Sequence, residues 1–344
     1  MEFEIEFYDR EKEIEEVMRI LKAPPNLITF VYGPINSGKS SLMDEVVRRL
    51  TSDYAVFYVD LRERFIRSYE DFVRVLFKTH RSRVEDYKAF LARVLEGFNF
   101  EGLPIPKNLL IEFLKEKEVE DIFEYIITVF ETVREKGRVP VLILDEMQVI
   151  GDLKIDDLLI YRLFNLFVSI TKKRHLSHVF AVTSDSLFLE RVYSEAMLHG
   201  RCRYLLVDDF DYETTVKFLK KYGFKEEEIG LVWEYFGGKP VYLVEAVRER
   251  ERIGEFCEEM FKLRLSQVLD DIYEIEDKKD LFDGVIKLFK AIADSEVVRY
   301  ERVDESLKFC VRKNILFVEP VERVIKPQSR LDLLAIREVL RVLS

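Results

Sequence analysis

Apolar residues at Ile14, Val17, Met18 and Leu21 recur at the three-four spacing of an amphipathic helix over 9–21, and Pro24 and Pro25 stop it. A short run rich in β-formers, 26–32, leads straight into Gly33, and a helical pattern follows to about Leu50. A second strand is predicted at 54–60. From 61 to 136 the period is helical and the residues are largely charged, with one proline-containing break at 103–107. The run 139–144 is apolar at every position, as expected of a strand covered on both faces. A helix at 158–171, a strand at 178–183, a helix at 186–198 and a strand at 203–207 complete an alternation. That alternation implies right-handed βαβ crossovers and a parallel sheet, with ligands at the carboxyl ends of the strands.

Beyond Asp208 the pattern is helical: 211–222, 226–236 and 240–250, the last opening on a proline suited to a first turn, then a helix-rich stretch to about 275. After a charged link at 277–280 come two β-rich runs, 315–318 and 323–326, and a helix at 329–343. Helices followed by a hairpin suggest a small winged-helix domain. The predicted fold class is therefore α/β: a core with a parallel sheet, then a helical segment, then a C-terminal winged-helix-like domain. The expected limits are 1–208 (with a helical insertion at 61–136), 209–276 and 277–344.

Composition narrows the class. The 344 residues are 48% hydrophobic and 35% charged, which excludes a disordered chain. The longest apolar runs fall far short of the roughly 20 residues of a membrane helix, and the acidic N-terminus has no apolar signal segment. Cys202, Cys257 and Cys310 form no paired motif, against a disulfide framework. A cytoplasmic protein is expected. The net charge of −11 argues against wholesale coating of nucleic acid. Three glutamines among many Glu, Lys and Arg are the bias of heat-adapted proteins, a statement about temperature rather than function.

The chemistry begins at Gly33-Pro34-Ile35-Asn36-Ser37-Gly38-Lys39-Ser40, followed by Ser41. It fits G-x-x-x-x-G-K-[ST], in which backbone N–H groups and a helix N-terminus cradle phosphate. A chance match in a chain of this size has a probability on the order of one per cent. Lys39 is expected to reach the β- and γ-phosphates of ATP, and the Ser40 hydroxyl to bind Mg²⁺. About a hundred residues on, an apolar strand delivers Asp145 and Glu146. Asp145 suits Mg²⁺ and Glu146 suits a general base for water. The next strand ends in Thr183-Ser184-Asp185-Ser186, where Ser184 or Thr183 could sense the γ-phosphate; alternatively, Ser184 or Asp185 simply caps a helix. His175 and His178 have the i, i+3 spacing of a metal pair but lack a third ligand, so histidines without metal are the better reading.

With these residues in place, the chain resembles the archaeal ATPase family of the STAND branch of P-loop NTPases, relatives of the AAA+ fold. The resemblance covers most of the chain: Phe7 to Glu13, the phosphate loop, the Leu144-Asp145-Glu146 strand end, His199-Gly200-Arg201, Gly237-Gly238-Lys239-Pro240 and Lys326-Pro327-Gln328-Ser329. It implies that Tyr8, Arg10 and Pro240 bracket the adenine. It also implies that Arg201 is an arginine finger acting on a neighbour's nucleotide, hence a homo-oligomer in the active state. It makes the helical segment a lid, one that departs from the initiator pattern, since Lys239, not arginine, follows its glycines.

The reading that results is an ATPase acting as a nucleotide-dependent conformational switch, with ATP and Mg²⁺ at the site and no membrane partner. Two alternatives stand beside it: an ATP-gated winged-helix DNA-binding regulator, and a protein-interaction hub with little turnover. Lys308, Arg312, Lys313, Arg323, Lys326, Arg330, Arg337 and Arg341 outnumber the acids of the C-terminal stretch, as a DNA face requires. Glu319 and Glu322, in the turn of the predicted wing, would repel phosphates.

Overall fold

The computed structural model describes residues 5–63, 65–80, 86–116, 119–151, 157–194 and 198–343. Four strands of the main sheet, at 28–32, 54–60, 139–145 and 178–183, are short runs rich in β-branched and aromatic or aliphatic residues. In chain order the elements are α1 (Glu11–Lys22), β1 (Ile28–Tyr32), α2 (Lys39–Arg49), β2 (Tyr54–Asp60), α3 (Tyr69–Leu76), β3 (Phe77–His80), α4 (Tyr87–Val94), β4 (Asn99–Glu101), β5 (Leu103–Pro106), α5 (Lys107–Glu116), α6 (Val119–Glu135) and β6 (Val139–Asp145). Then come α7 (Gln148–Gly151), α8 (Asp157–Val168) running into a π-helical turn, β7 (His178–Thr183), α9 (Ser186–Ser194) and β8 (Cys202–Leu206). Positions 195–197 of the helix expected to reach 198 lie outside the described residues.

The main sheet has the order β4-β2-β6-β7-β1-β8, and every pairing in it is parallel. Strand β7 therefore separates β1 from β6. Buried side chains pack on both faces: Ile14, Val17, Leu42 and Val46 of α1 and α2 on one, Phe130, Phe164 and Phe167 of α6 and α8 on the other. This is why β6 reads as an unbroken apolar run up to Asp145, and why β1 and β7 are apolar apart from Thr29, His178 and Thr183.

The stretch 61–136 corrects the helical expectation. Its described residues carry three short strands: β4 extends the main sheet at β2, while β3 and β5 pair with each other in a separate parallel two-stranded sheet.

The lid consists of α10 (Tyr212–Lys221), α11 (Glu226–Phe236), α12 (Pro240–Arg248) and the long α13 (Ile253–Tyr273). The C-terminal unit follows as α14 (Lys279–Ser295), β9 (Val298–Arg299), α15 (Glu305–Arg312), β10 (Leu316–Glu319), β11 (Val324–Pro327) and α16 (Arg330–Val342). Strands β10, β11 and β9 form an antiparallel sheet, the winged-helix-like arrangement predicted, with the hairpin one residue later than expected. Helix α13 serves two cores: Ile253, Phe256 and Cys257 pack into the lid, Val268 and Ile272 into the C-terminal unit. Among the described residues no helix is long and apolar enough to cross a membrane.

Candidate functional site

The loop after β1 is shaped by conformations its residues favour. Gly38 has φ +89° at the N-cap of α2, a region that L side chains rarely adopt. Asn36 also lies in the left-handed region at φ 60°, which asparagine tolerates. The Lys39 side chain is folded into this loop: its ammonium donates to the carbonyls of Gly33 at 3.1 Å and Pro34 at 2.7 Å. Burial, and the ammonium of Lys239 nearby, pull the Lys39 pKa down to about 8. Ser40 and Ser41 are exposed in the first turn of α2.

Asp145 ends β6, in register with Asp60 of β2. Its carboxylate accepts the Tyr58 hydroxyl at 2.7 Å and the Glu146 backbone N–H at 2.8 Å. Glu146 has φ 59°, a left-handed backbone that is uncommon outside glycine and carries strain of order 1–2 kcal/mol. Its carboxylate pairs with the Arg62 guanidinium at 2.9 Å and accepts the Gln148 amide. Burial raises the Glu146 pKa, and Arg62 opposes that rise.

Gln148 joins the two strand ends. Its carbonyl accepts the Thr183 hydroxyl at 2.8 Å, and its amide reaches the Ser184 hydroxyl at 3.2 Å as well as Glu146. Thr183 is buried and receives the Asp185 N–H. The cap of α9 is Asp185, whose carboxylate accepts from Leu187 and Phe188 N–H at 2.8 and 3.1 Å. Ser184 is thus not the cap, and its half-buried hydroxyl stays on the side of Glu146.

A cavity of about 300 Å³ opens beside the loop, lined by Tyr8, Arg10, Ser37, Gly38, Ser41 and Pro240 among others. The N-terminal segment and the lid do meet there. The Arg10 guanidinium donates to the carbonyls of Ser37 at 2.8 Å and Asp208 at 2.6 Å and lies 4.5 Å from the Phe210 ring. It fastens the segment to the loop as much as it lines the cavity.

Arg201 is the site residue that is not brought in. Its carbonyl accepts the Ile28 N–H, at the start of β1, whereas the loop follows Tyr32 at the other end. One strand, at about 3.3 Å per residue, separates the Arg201 backbone from its own chain's loop. His178 is buried in β7, with its pKa pushed down to about 4 by burial, and His175 contacts the Pro25 carbonyl. Among the described residues no three His, Cys, Asp or Glu side chains form a metal group.

Beside Gln148, two further residues stand at the loop that the sequence gives no role at the site. Lys239, 2% exposed, projects from the lid to the carbonyl of Ile35 at 3.1 Å and pairs with Asp209 at 2.9 Å. Gln328, from the end of the hairpin, accepts the Ile35 N–H at 3.1 Å. The signal for Lys239 is the glycine before it: a Cβ at Gly238 would stand 1.7 Å from the Phe210 carbonyl oxygen, so the lid is pressed onto the core there. The C-terminal unit also touches the core through Glu319, which accepts the Tyr32 hydroxyl, and Lys326, which pairs with Asp208. Glu319 is therefore buried against the core, which corrects its expected place as a phosphate-repelling residue in an exposed turn.

Two family models match the chain: an ATPase domain predominantly from Archaea over residues 7–246, and the C-terminal domain of an MJ1010-like uncharacterized ATP-binding protein over 254–340. An uncharacterized ATP-binding protein of Pyrococcus abyssi is 53% identical over 340 residues, covering 98% of this chain and all of the relative. One of Methanocaldococcus jannaschii is 50% identical over 352 residues, covering 98% of each. The Aeropyrum pernix ORC2 protein, solved as ADPNP–ADP complexes, shares the fold with a TM-score of 0.52 at 12% identity, over 99% of this chain and 97% of that one.

Proposed function

We propose, from the premise that this chain belongs to the ATPase family found predominantly in Archaea and binds ATP, that it hydrolyses ATP to ADP and phosphate and changes conformation as it does so. One observation carries this reading. Lys39, Asp145 with Glu146, and Ser184 stand at the carboxyl ends of three neighbouring strands, β1, β6 and β7.

In this reading the loop N–H groups and Lys39 hold the β- and γ-phosphates, and the adenine enters the cavity of Tyr8, Arg10 and Pro240. The Ser40 hydroxyl and the Asp145 carboxylate are hard oxygen donors and suit Mg²⁺, which takes one or two protein ligands and completes its shell with phosphates and water. Asp145 makes one hydrogen bond per oxygen, so lone pairs remain for it. Bound there, the ion would neutralise charge developing on the phosphate oxygens. Glu146 takes a proton from water as the water oxygen bonds to the γ-phosphorus and the bond to the β-γ bridging oxygen breaks, with ADP leaving. Ser184, joined to Glu146 through Gln148, is placed to register the γ-phosphate. Arg201, whose backbone lies one strand away from its own loop, would act on the nucleotide of another copy. The division into core 1–208, lid 209–276 and C-terminal unit 277–344 belongs to this proposal, with α13 shared between the last two.

Lys39→Ala tests the assignment. ATP affinity by calorimetry should collapse with the thermal unfolding temperature little changed; unchanged affinity would remove the loop from the reading. A duplex-DNA role gains less support. Of the eight C-terminal bases, Lys313 pairs with Asp271 and Glu274, Lys326 with Asp208, and Arg330 and Arg337 with Glu296. The hairpin's lysine thus faces the core rather than a free surface.

A further inference from the structure

A cleft of about 980 Å³ lies between the core and the C-terminal unit, and no residue lining it also lines the cavity assigned to the adenine. It begins at Ile35 of the phosphate loop and at Gln148 and Ser184, then runs beneath α15 and the β10–β11 hairpin. Its lining carries Arg62, Arg191, Arg302, Lys308, Arg312 and Arg323. Against these six bases stand three acids, Asp185, Glu190 and Glu301, and Asp185 is already committed to capping α9. In a chain of net charge −11 this is a local reversal of sign. Phe188 and Val311, both buried, are among its apolar lining residues.

The basic side chains are not all consumed internally. Lys308 pairs with Glu305, and Arg323 bonds the Glu301 carbonyl and lies over the Tyr300 ring. Arg302 and Arg312, by contrast, are exposed, and neither makes an ion pair among the described residues. Unpaired guanidiniums on a concave wall present planar forks suited to phosphate oxygens. A wide cleft between structural units, with apolar lining and a few polar groups, is where ligands settle.

We propose that this cleft, which adjoins the nucleotide loop at Ile35 but shares no lining with the adenine cavity, is a second ligand site that takes a phosphate-bearing anion held by Arg302 and Arg312. The phosphate comes either from a free polyphosphate or from the backbone of a single nucleic-acid strand. Arg62 belongs to the same lining and to the ion pair with Glu146, so an occupant competes with that carboxylate for one guanidinium. Only this last consequence rests on Glu146 being the hydrolytic base.

The test uses full-length Lys39→Ala protein, in which the nucleotide loop is disabled, titrated at low ionic strength with inorganic tripolyphosphate and, separately, with a short single-stranded DNA. One of the two should bind, which identifies the source, and Arg302→Glu/Arg312→Glu should weaken it at least tenfold. For the oligonucleotide, the double variant should also flatten the dependence of log affinity on log salt by about 0.7 for each phosphate that is no longer neutralised. Both arginines are exposed, so the unfolding temperature should not move; Arg302→Ala/Arg312→Ala, which adds no charge, is the control and should weaken binding in the same direction. Binding of neither probe, or binding indifferent to both double variants, overturns the proposal. Because Glu146 and a working loop play no part in this titration, it fails independently of the ATPase reading.

Discussion

At the scale of single residues, the two groups that matter most have shifted acidities of opposite consequence. Lys39 has a pKa of about 8 with the loop free, and a bound phosphate restores the ordinary preference for the charged form. ATP binding at pH 8 should therefore take up about half a proton per site, more at pH 9 and little at pH 6.5. Calorimetry in buffers of different ionisation enthalpy measures this, and a buffer-independent heat at pH 8 would mean that Lys39 is already charged. Glu146 is shifted upward by burial and held back by Arg62. A base works deprotonated, so turnover falls as pH drops through its pKa. Removing the guanidinium in Arg62→Ala lets that pKa rise further, and the acidic limb of the turnover profile should move to higher pH. A limb that stays in place would show that Arg62 does not act on the base. The loop, Asp145 and Glu146 are legible in sequence because each is a fixed residue type at a fixed offset from a strand end. Gln148 and Lys239 are not, because their partners lie 35 and 204 residues away and only folding brings them together.

Among the elements, β1, β6 and β7 are legible because both of their faces are covered, which forces predominantly apolar runs. The strands within 61–136 are hidden for the opposite reason. Strand β5 is Leu103-Pro104-Ile105-Pro106, and two prolines demote any strand assignment, yet β5 pairs on one side only, with β3, where missing N–H donors are tolerated. Strand β4 spans three residues at a sheet edge, too few to show a period. Contact between β1 and β10 depends on the buried hydrogen bond from Tyr32 to Glu319. Tyr32→Phe leaves that carboxylate, itself 3% exposed, with only the Val321 and Glu322 N–H groups as donors. The cost should be about 1–3 kcal/mol in denaturant unfolding. A change below about 0.5 kcal/mol would show that water reaches the carboxylate.

For the whole molecule, the phosphate loop is touched from three directions. Arg10 reaches Ser37 from the N-terminal segment, Lys239 reaches Ile35 from the lid, and Gln328 reaches the same residue from the C-terminal unit. A conformational output follows if phosphate contacts and these contacts compete for the loop. Lys326→Asp should break the tie to Asp208 and speed release of a fluorescent nucleotide, and the swap Asp208→Lys/Lys326→Asp should restore the slow rate. An unchanged rate in the single variant would uncouple the C-terminal unit from the nucleotide. The most direct measurement compares ATP binding and steady-state hydrolysis in wild-type and Glu146→Gln protein. The glutamine keeps the shape and leaves Asp145 in place but cannot accept the proton. Retained binding with turnover reduced about 10²–10⁴-fold is the expected result, and a variant hydrolysing ATP at the wild-type rate would contradict the assignment of this site.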